Sequence, residues 1–278
     1  MQVVRSLAIE KLAVPGFMGK LVGRANLTWP LLLGGPLAFW IIALYLLHGF
    51  AIPSELHAYD QFVPHWLIYV VYIPLTGLIG LFTLASGLRF WKMLGNTQKR
   101  SGSFIANVIP ALFDVAAHSR FNKCGTAKGR KWGHFALMWG FVGAVIATTL
   151  AIVALYILKE YPLPFWHPFK IVGNVAAIFL MVGGFWLLIN RLRVDSPAGT
   201  SSAYDNFFLA VVLTVVVTGV LTEAARYWFS PDLAVWIYIV HLASIMCLFG
   251  TFPYCKFAHI LYRTLAMVHE RMVVKSKS

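Results

Sequence analysis

The sequence has few charged residues, and the acidic ones are the scarcest. Of its 278 residues, 12% are Asp, Glu, Lys or Arg, whereas 59% are hydrophobic. Soluble globular domains carry about 25% charged residues, so a soluble core is not expected to bury this much apolar surface. The 23 Lys and Arg residues outnumber the 10 acidic ones and give a net charge of +13. Because no basic run alternates with turns or exposed aromatic residues, a nucleic-acid surface is excluded and a membrane protein is favoured.

Cysteine is also scarce, with three isolated residues, Cys124, Cys247 and Cys255. There is no CxxC pair, no CxxCH motif for covalent haem attachment and no set of four cysteines for an iron–sulfur cluster. We therefore expect any cofactor to be held without thiolate bonds. Cys247 and Cys255 are expected to be small buried residues of an apolar segment.

Six apolar stretches are each long enough to cross a hydrocarbon core, which takes about 20 residues of helix. In lipid, every backbone polar group must find a local partner, so these stretches are predicted to be helices. The predicted fold is therefore all-α, a polytopic membrane bundle of six transmembrane helices. The stretches run from Pro30 to Phe50, Trp66 to Trp91, His134 to Leu158, Phe169 to Ile189, Phe207 to Leu221 and Val235 to Phe252. The last one is predicted to continue as an amphipathic helix to about Leu265.

Positive charge is concentrated on one side of these spans. With six spans both termini share a side, and 20 of the 23 Lys and Arg residues fall on it. The opposite side holds Lys159, Lys170 and Arg226. This is the positive-inside pattern, so both termini are predicted to be cytoplasmic.

The cytoplasmic segments have distinct characters. Residues 1–29 form a polar, amphipathic lead that lacks the pattern of a cleavable signal peptide, and residues 266–278 form a basic tail. Within the long cytoplasmic loop, Phe104 to Phe121 alternates apolar and polar residues at near-helical spacing. That segment is predicted to lie along the membrane interface.

Histidine is the informative residue type, because an imidazole inside a spanning helix is costly and normally faces a partner. His134 opens the third stretch, His241 lies inside the sixth, and His259 follows 18 residues later. On one continuous helix 18 residues make five turns, so His241 and His259 are predicted to project from one face, roughly 27 Å apart. Two stacked cofactor sites require one such histidine near each membrane surface.

Topology indicates how the histidines pair. The third stretch begins and the sixth ends on the cytoplasmic side, so His134 and His259 occupy the same leaflet. Two imidazoles from facing helices can take both axial positions of a haem iron, which favours electron transfer. His241 belongs to the outer leaflet, where its possible partners are His48, His65 and His167. The alternative is that all of these are interfacial histidines bonded to carbonyl groups and water.

Several motifs together resemble the gamma, or cytochrome b, subunit of respiratory nitrate reductases. HLASIMCLFGTFPYCKFAHI, from His241 to Ile260, is similar to that family's last helix, in which two haem-ligating histidines have this spacing with Phe-Pro between them. KWGHFALMWGFVG resembles its other histidine-bearing helix, and MVGGFWLLINRLR with DSPAGTSSAYDN resembles the next helix and loop. The resemblance implies a five-helix haem-binding bundle over residues 65–265, preceded by an extra helix and outer loop at residues 30–64.

One departure from that family concerns the second haem. Ala144 stands where the nitrate reductase subunit has its second histidine on the helix of His134. The resemblance therefore implies His134 with His259 for a cytoplasmic-side haem b, and leaves His241 to pair with His48 or His65 if an outer haem is kept. The lead AVPGFMGKL and the segment FVPHWLIY look closer to the membrane subunit of quinone-interacting membrane-bound oxidoreductase complexes, relatives of the heterodisulfide reductase membrane subunit.

The function implied by the resemblance is electron exchange between a quinone, menaquinone or another, and iron–sulfur and flavin subunits on the cytoplasmic face. Members of that group often carry a ferredoxin-like domain, which these 278 residues lack, so the clusters are expected in a separate subunit. The implied setting is the cytoplasmic membrane of a prokaryote, in anaerobic respiration or sulfur metabolism. The chain is expected to be the quinone-reactive part of an enzyme, not a complete enzyme.

Further residues are assigned to this function by position. His167 and Lys170, in PFWHPFK at the outer end of the fourth stretch, are candidates for the quinone site, and the alternative is an interfacial histidine and a snorkelling lysine. Glu223 and Arg226 are predicted either to pair with each other or to serve a proton path. Candidates for the haem propionates are His118, Arg120 and Arg263.

Two other classes of function remain as alternatives. One is a cofactor-free membrane anchor for a peripheral enzyme, and the other is a proton- or ion-conducting protein or transporter. Many transporters have two repeated halves with broken helices in matching positions, and the halves of this sequence do not resemble each other. A pure anchor has no need for histidines at matched depths.

Overall fold

The computed structural model describes residues 11–95, 101–116, 128–193 and 203–277. Within these ranges the chain is helical, with turns and loops but no β-strand. The helices, labelled in chain order, are α1 (Gly16–Gly23), α2 (Ala25–His48), α3 (His65–Gly95), α4 (Phe104–Ala116), α5 (Lys128–Val153), α6 (Pro168–Arg193), α7 (Ala203–Trp228), α8 (Pro231–Thr251) and α9 (Ala258–Lys277). One wider turn, Ala154–Leu158, prolongs α5.

Six of these elements are long and apolar enough to cross a membrane, which confirms the predicted all-α bundle of six spans. They are α2, α3, α5 with its last wide turn, α6, α7 and the stretch Pro231–Val273, which begins with α8. Large apolar side chains on them face outward, such as Leu46, Ile157 and Leu192, each more than 70% exposed. An even number of spans puts the two ends of the bundle on the same side, and the distribution of Lys and Arg predicts that this side is cytoplasmic.

Proline and glycine mark several helix ends. Pro168 and Pro231 each occupy the first position of their helix, where the missing N–H is not needed. Gly49 ends α2 in the left-handed conformation, with φ of +65°, and its N–H donates to the Tyr45 carbonyl. These local signals fix where the spans begin and end.

The sixth apolar stretch is not one continuous helix, and the prediction that His241 and His259 lie five turns apart on the same helix is wrong. Helix α8 ends at Thr251, a single tight turn covers Phe252–Tyr254, and Cys255 is extended with φ of −107° and ψ of −168°. Pro253 lacks an N–H and restricts the residue before it, so it favours this break. Helix α9 then begins at Ala258.

The core has two halves along the bundle, which we name outer and inner after the predicted orientation. In the outer half, Trp40 and Leu44 of α2 pack against Val235 and Ile239 of α8. In the inner half, valines of α7 pack with Leu248 and with residues of the lead, such as Ala13 and Val22. The hydroxyl of Tyr254 donates to the Val14 carbonyl at 2.9 Å, so the lead is bound to the helix break.

The segment predicted to lie along the interface is helical over Phe104–Ala116, and residues 117–121 lie outside the described ranges. One face of this helix, α4, packs on α9 through Ala111 and Val268, and Arg271 of α9 pairs with Asp114 at 2.8 Å. The other face exposes apolar side chains, with Phe113 71% exposed. A helix with one packed face and one exposed apolar face suits an interfacial position.

Helices α5 and α6 approach each other through small residues. A methyl group placed on Gly183 of α6 would lie 2.5 Å from the Leu137 backbone nitrogen and 2.8 Å from the Gly133 carbonyl oxygen. Gly140 and Gly143 of α5 are similarly close to Leu180 and Ala176 of α6. Such small-residue contacts are the usual way for spanning helices to associate, because lipid offers no hydrophobic driving force between them.

We predict that Gly183→Ala destabilises the protein, whereas Gly173→Ala does not. The added methyl at position 183 would overlap backbone atoms of α5, and overpacking of this kind costs about 1–3 kcal/mol or more. At position 173 of the same helix the methyl would meet the Ala147 side chain at 3.5 Å, an ordinary contact. Thermal unfolding of both variants in the same detergent tests the prediction, and equal midpoints would contradict it.

Candidate functional site

His134 and His259 meet on the side of the bundle that is predicted to be cytoplasmic. Their ring centres are 6.1 Å apart, and the ring planes are inclined at 78°. Two imidazoles that ligate one metal ion from opposite sides, at metal–nitrogen distances of about 2 Å, have ring centres about 6 Å apart. The observed separation therefore fits a shared metal atom.

A hydrogen bond fixes the tautomer of His259. Its ring Nδ1 lies against the Lys256 carbonyl oxygen, which can only accept, so Nδ1 carries the proton and donates. The lone pair is then on Nε2. Histidines that bind metals commonly hold their second ring nitrogen in this way, with an N–H donated to a backbone carbonyl.

A small, partly open cleft of about 30 Å³ lies beside the two rings. Apolar walls come from Met138 and Ile260, and Arg263 adds a cationic group. The structure thus brings Arg263 together with both histidines, whereas His118 and Arg120, also predicted to lie near the propionates, are outside the described residues.

The ligand set suits a metal that brings most of its own ligands. Among the described residues no three His, Cys, Asp or Glu side chains converge as a metal site. A protein-bound zinc ion needs three or four such ligands, whereas a haem iron has four macrocycle nitrogens and needs only the two axial positions. The pair of His134 and His259 fits a haem better than a free ion.

His241 lies between α7 and α8 and is bound by Thr218. The Thr218 hydroxyl donates to the Thr214 carbonyl at 2.6 Å, and the distance from its Oγ1 to the His241 Nδ1 is 3.0 Å. Since a hydroxyl has one proton, Nδ1–H donates to Oγ1 and the lone pair is again on Nε2. Gly219 allows the close approach, because a methyl there would lie 3.0 Å from the His241 ring.

The predicted outer partners do not reach His241 among the described contacts. His48 Nε2 donates to the Phe62 carbonyl at 3.0 Å. The His65 Nδ1 lies 3.9 Å from an Asp60 carboxylate oxygen, and its ring packs edge-on against Tyr161. An outer haem between His241 and His48 or His65 therefore stays a prediction without a supporting contact.

Aromatic side chains pack against α8 at Leu242, the residue after His241. The Tyr72 hydroxyl donates at 2.6 Å to the carbonyl of Leu242, the following residue. Trp40 is fully buried and stacks on Tyr72 with ring centres 6.0 Å apart. These contacts connect α2 and α3 to α8.

His167 has a structural role that the sequence did not reveal. It precedes the first residue of α6, and its Nδ1 accepts a hydrogen bond from the Phe169 N–H at 3.2 Å, as a helix N-cap does. Its Nε2 then carries the proton and lies 3.1 Å from a Glu160 carboxylate oxygen. A carboxylate partner also suits a proton-exchanging histidine, so both roles are compatible with the contacts.

Lys170 of α6 pairs with Glu223 of α7, with 3.4 Å between Nζ and a carboxylate oxygen. The predicted pair of Glu223 and Arg226 is absent from the described contacts. Arg226 instead donates to the Leu163 carbonyl at 3.2 Å and to the Tyr227 hydroxyl. His167 and Lys170 thus lie at the same end of α6 with separate carboxylate partners. A charge pair at this depth costs desolvation and is a site hypothesis by default.

Two tyrosines outside the spans complete the outer end of the bundle. Burial raises the pKa of Tyr59 to about 12, against a smaller opposing effect of Arg226, and its hydroxyl donates to the Thr222 carbonyl at 2.6 Å. Burial and the nearby Asp60 carboxylate raise the pKa of Tyr161 to about 12. Both phenols stay protonated at neutral pH and act as hydrogen-bond donors.

We predict that His167→Asn leaves the thermal stability of the protein unchanged, whereas His167→Ala lowers it by removing the cap of α6. Asparagine is a strong N-cap that can accept from the Phe169 N–H, and loss of a cap costs about 1 kcal/mol. Thermal unfolding of the two variants in detergent measures the difference. Equal losses in both would show that the Glu160 contact, not the cap, is the stabilising one.

Comparison with known proteins finds one relative over nearly the whole chain. It is an Escherichia coli protein named citrate utilization protein B, 27% identical over 282 residues, with 95% of this chain and 72% of the relative covered. No family model and no solved structure matches. The resemblance to nitrate reductase gamma subunits therefore stays an expectation drawn from motifs. What the comparison adds is that the chain is similar, along its helical bundle, to a bacterial protein named for citrate utilization.

Proposed function

We propose that this chain is a haem b-binding membrane subunit that exchanges electrons between a membrane quinone and iron–sulfur or flavin subunits on the cytoplasmic side. The observation that carries the proposal is the approach of His134 and His259 to 6.1 Å, with the His259 tautomer fixed by a carbonyl. Six apolar spans supply the membrane anchor that such a subunit needs.

Five residues that line the cleft have a part in this proposal. His259 Nε2 and the His134 imidazole would hold the haem iron, Met138 and Ile260 would keep water from it, and Arg263 would pair with a propionate. Once bound, haem b with two axial histidines transfers single electrons and has no open position for oxygen. The protein's contribution is to fix the two rings and the polarity around them.

The outer end of α6 would serve the quinone. A quinol that gives up two electrons must also lose two protons, so its site needs groups that accept them. The Glu223 carboxylate beside Lys170 and the Glu160 carboxylate beside His167 are such groups. Lys170 would bind a quinone oxygen as a hydrogen-bond donor.

This outer position has a consequence for the number of haems. Gly133, next to His134, faces Leu187 of α6, and the 17 residues from Lys170 to Leu187 span about 26 Å along the helix. Electron tunnelling through protein falls steeply with distance, so a quinone at Lys170 needs a second redox centre near His241. The outer quinone site and the outer haem therefore depend on each other.

The soluble partners would dock on the basic cytoplasmic face, where 20 of the 23 Lys and Arg residues are expected. Positive surfaces steer acidic partners to a binding face. The Escherichia coli relative is named for citrate utilization. An electron-carrying membrane subunit that serves the use of a small organic acid is compatible with that name.

We predict b-type bands in the reduced-minus-oxidised spectrum of the purified protein, and their loss in His134→Ala and in His259→Ala. Removal of either axial ligand leaves the iron with one protein ligand, so haem per chain falls. His57→Ala is the matched control, because His57 is 74% exposed and touches only Glu55 among the described ion pairs. Its spectrum should equal that of the parent protein.

Protein without b-type bands in the parent would reject the haem proposal and favour the cofactor-free anchor. Bands that survive both His134→Ala and His259→Ala would reject the ligand assignment while keeping the cofactor. These two failures are distinct because the parent protein is measured in each experiment.

We predict that a quinone site at Lys170 is functional only if the chain holds two haems. Pyridine extraction counts haems per chain, and Lys170→Ala is then tested for the rate of haem reduction by a quinol. With two haems per chain the variant should slow reduction at least tenfold and leave the spectrum unchanged. With one haem per chain, a Lys170→Ala effect of that size would contradict the distance argument.

A further inference from the structure

The end of α6, the start of α7 and the segment between α8 and α9 meet at Asp205, a buried carboxylate in the first turn of α7. Its side chain is 9% exposed, and its Oδ1 lies 2.7 Å from the Nζ of Lys256. Its backbone carbonyl accepts a hydrogen bond from Arg191, near the end of α6, at 3.1 Å. Lys256 belongs to the short segment between α8 and α9, so Asp205 connects this segment to α6 and α7.

Lys256 in turn holds His259. The carbonyl oxygen of Lys256 accepts the backbone N–H of His259 at 3.2 Å and also the proton of its ring Nδ1. One carbonyl therefore fixes both the start of α9 and the direction of the imidazole. Any displacement of Lys256 changes where the His259 Nε2 points.

Phe257, the residue after Lys256, is held by aromatic contacts. The Phe257 ring stacks on Phe252 with centres 4.7 Å apart and packs edge-on against Phe141 of α5 and Phe208 of α7. With the aromatic contacts at Phe257 and the ion pair at Lys256, two successive residues of the segment are anchored.

Breaking this ion pair has different consequences for its two side chains, because only one of them can reach water. The Lys256 side chain is 40% exposed and can turn to water, whereas the Asp205 carboxylate cannot. Burying a carboxylate is costly unless it is paired and hydrogen-bonded, so the Asp205 carboxylate favours the position in which the Lys256 Nζ contacts it. Replacing Asp205, not Lys256, releases the constraint without leaving a buried charge.

We propose that Asp205 is a positioning residue for His259, acting through Lys256 to set the direction of the imidazole that would ligate the cytoplasmic-side haem. The inference rests on the proposed function for its link to haem, and on the contacts of the chain itself for the orientation of His259. The effect of Asp205 is transmitted by the Lys256 carbonyl, to which the ring of His259 is hydrogen-bonded.

The test compares Asp205→Ala with Asp205→Glu, whose longer carboxylate can still reach the Lys256 Nζ. Haem content, midpoint potential and the electron paramagnetic resonance of the oxidised haem are measured in each. Asp205→Ala should keep at least half of the haem but shift both the potential and the resonance, and Asp205→Glu should restore the parent values. Asn107→Ala is the control, because Asn107 is buried on α4 and bonds only its local Ser103 carbonyl among the described contacts.

A double-variant comparison separates positioning from general destabilisation. If Asp205 acts through Lys256, Asp205→Ala with Lys256→Ala should shift the potential no further than Asp205→Ala alone. An additive shift, or an Asn107→Ala shift as large as that of Asp205→Ala, would overturn the proposal. If Asp205→Ala does not fold, Asp205→Asn replaces it, since the amide keeps the shape and removes the charge.

Nuclear magnetic resonance of protein with ¹⁵N-labelled histidine gives a readout independent of haem, with the His259 signal assigned from His259→Gln. Asp205→Ala should shift the Nδ1 signal of His259. If the parent protein has no haem and the signal still shifts, the proposed function fails and the positioning role stands. If haem is present and neither the signal nor the potential changes, the positioning role fails and the proposed function stands.

Discussion

The break between α8 and α9 is the constraint on which the candidate site depends. A continuous helix after Thr251 would keep His259 on the axis of α8, whereas the turn at Phe252–Tyr254 and the extended Cys255 start a new helix at Ala258. That new start lets one carbonyl hold both the backbone and the ring of His259, and it brings the ring to 6.1 Å from His134. A short irregular segment, packed among aromatic side chains and bound to the lead through Tyr254, therefore determines the geometry of the pair.

Because the spans have a hydrophobic environment, polar contacts between helices indicate functional positions better than polar contacts within one helix do. Most threonines of the spans bond a carbonyl one turn back in their own helix, as Thr148 and Thr214 do, and so satisfy themselves without a partner helix. Polar contacts between helices are fewer, and they fall at the histidines and at the ends of the spans. In a medium that penalises unpaired polar groups, such contacts mark where the chain has a use for polarity.

Sequence reasoning predicted the spans because twenty-residue apolar stretches leave few alternatives, and it paired His134 with His259 because topology places both in one leaflet. It missed the helix break, since the apolar pattern from Val235 onward continues through Phe252 and a single Pro253 is often tolerated in spanning helices. It also missed the cap made by His167 and the partner of Lys170. Those contacts depend on which helices are neighbours, and the order of residues along one helix does not contain that information.

The most direct test of the account is electron paramagnetic resonance of the oxidised protein, with ¹⁵N-labelled histidine to reveal nitrogen atoms coupled to the iron. Two axial imidazoles predict a low-spin ferric signal with two strongly coupled histidine nitrogens, both lost when His134 and His259 are replaced together. A high-spin signal, or coupling to one histidine nitrogen only, would contradict the claim that these two residues ligate a haem from opposite sides.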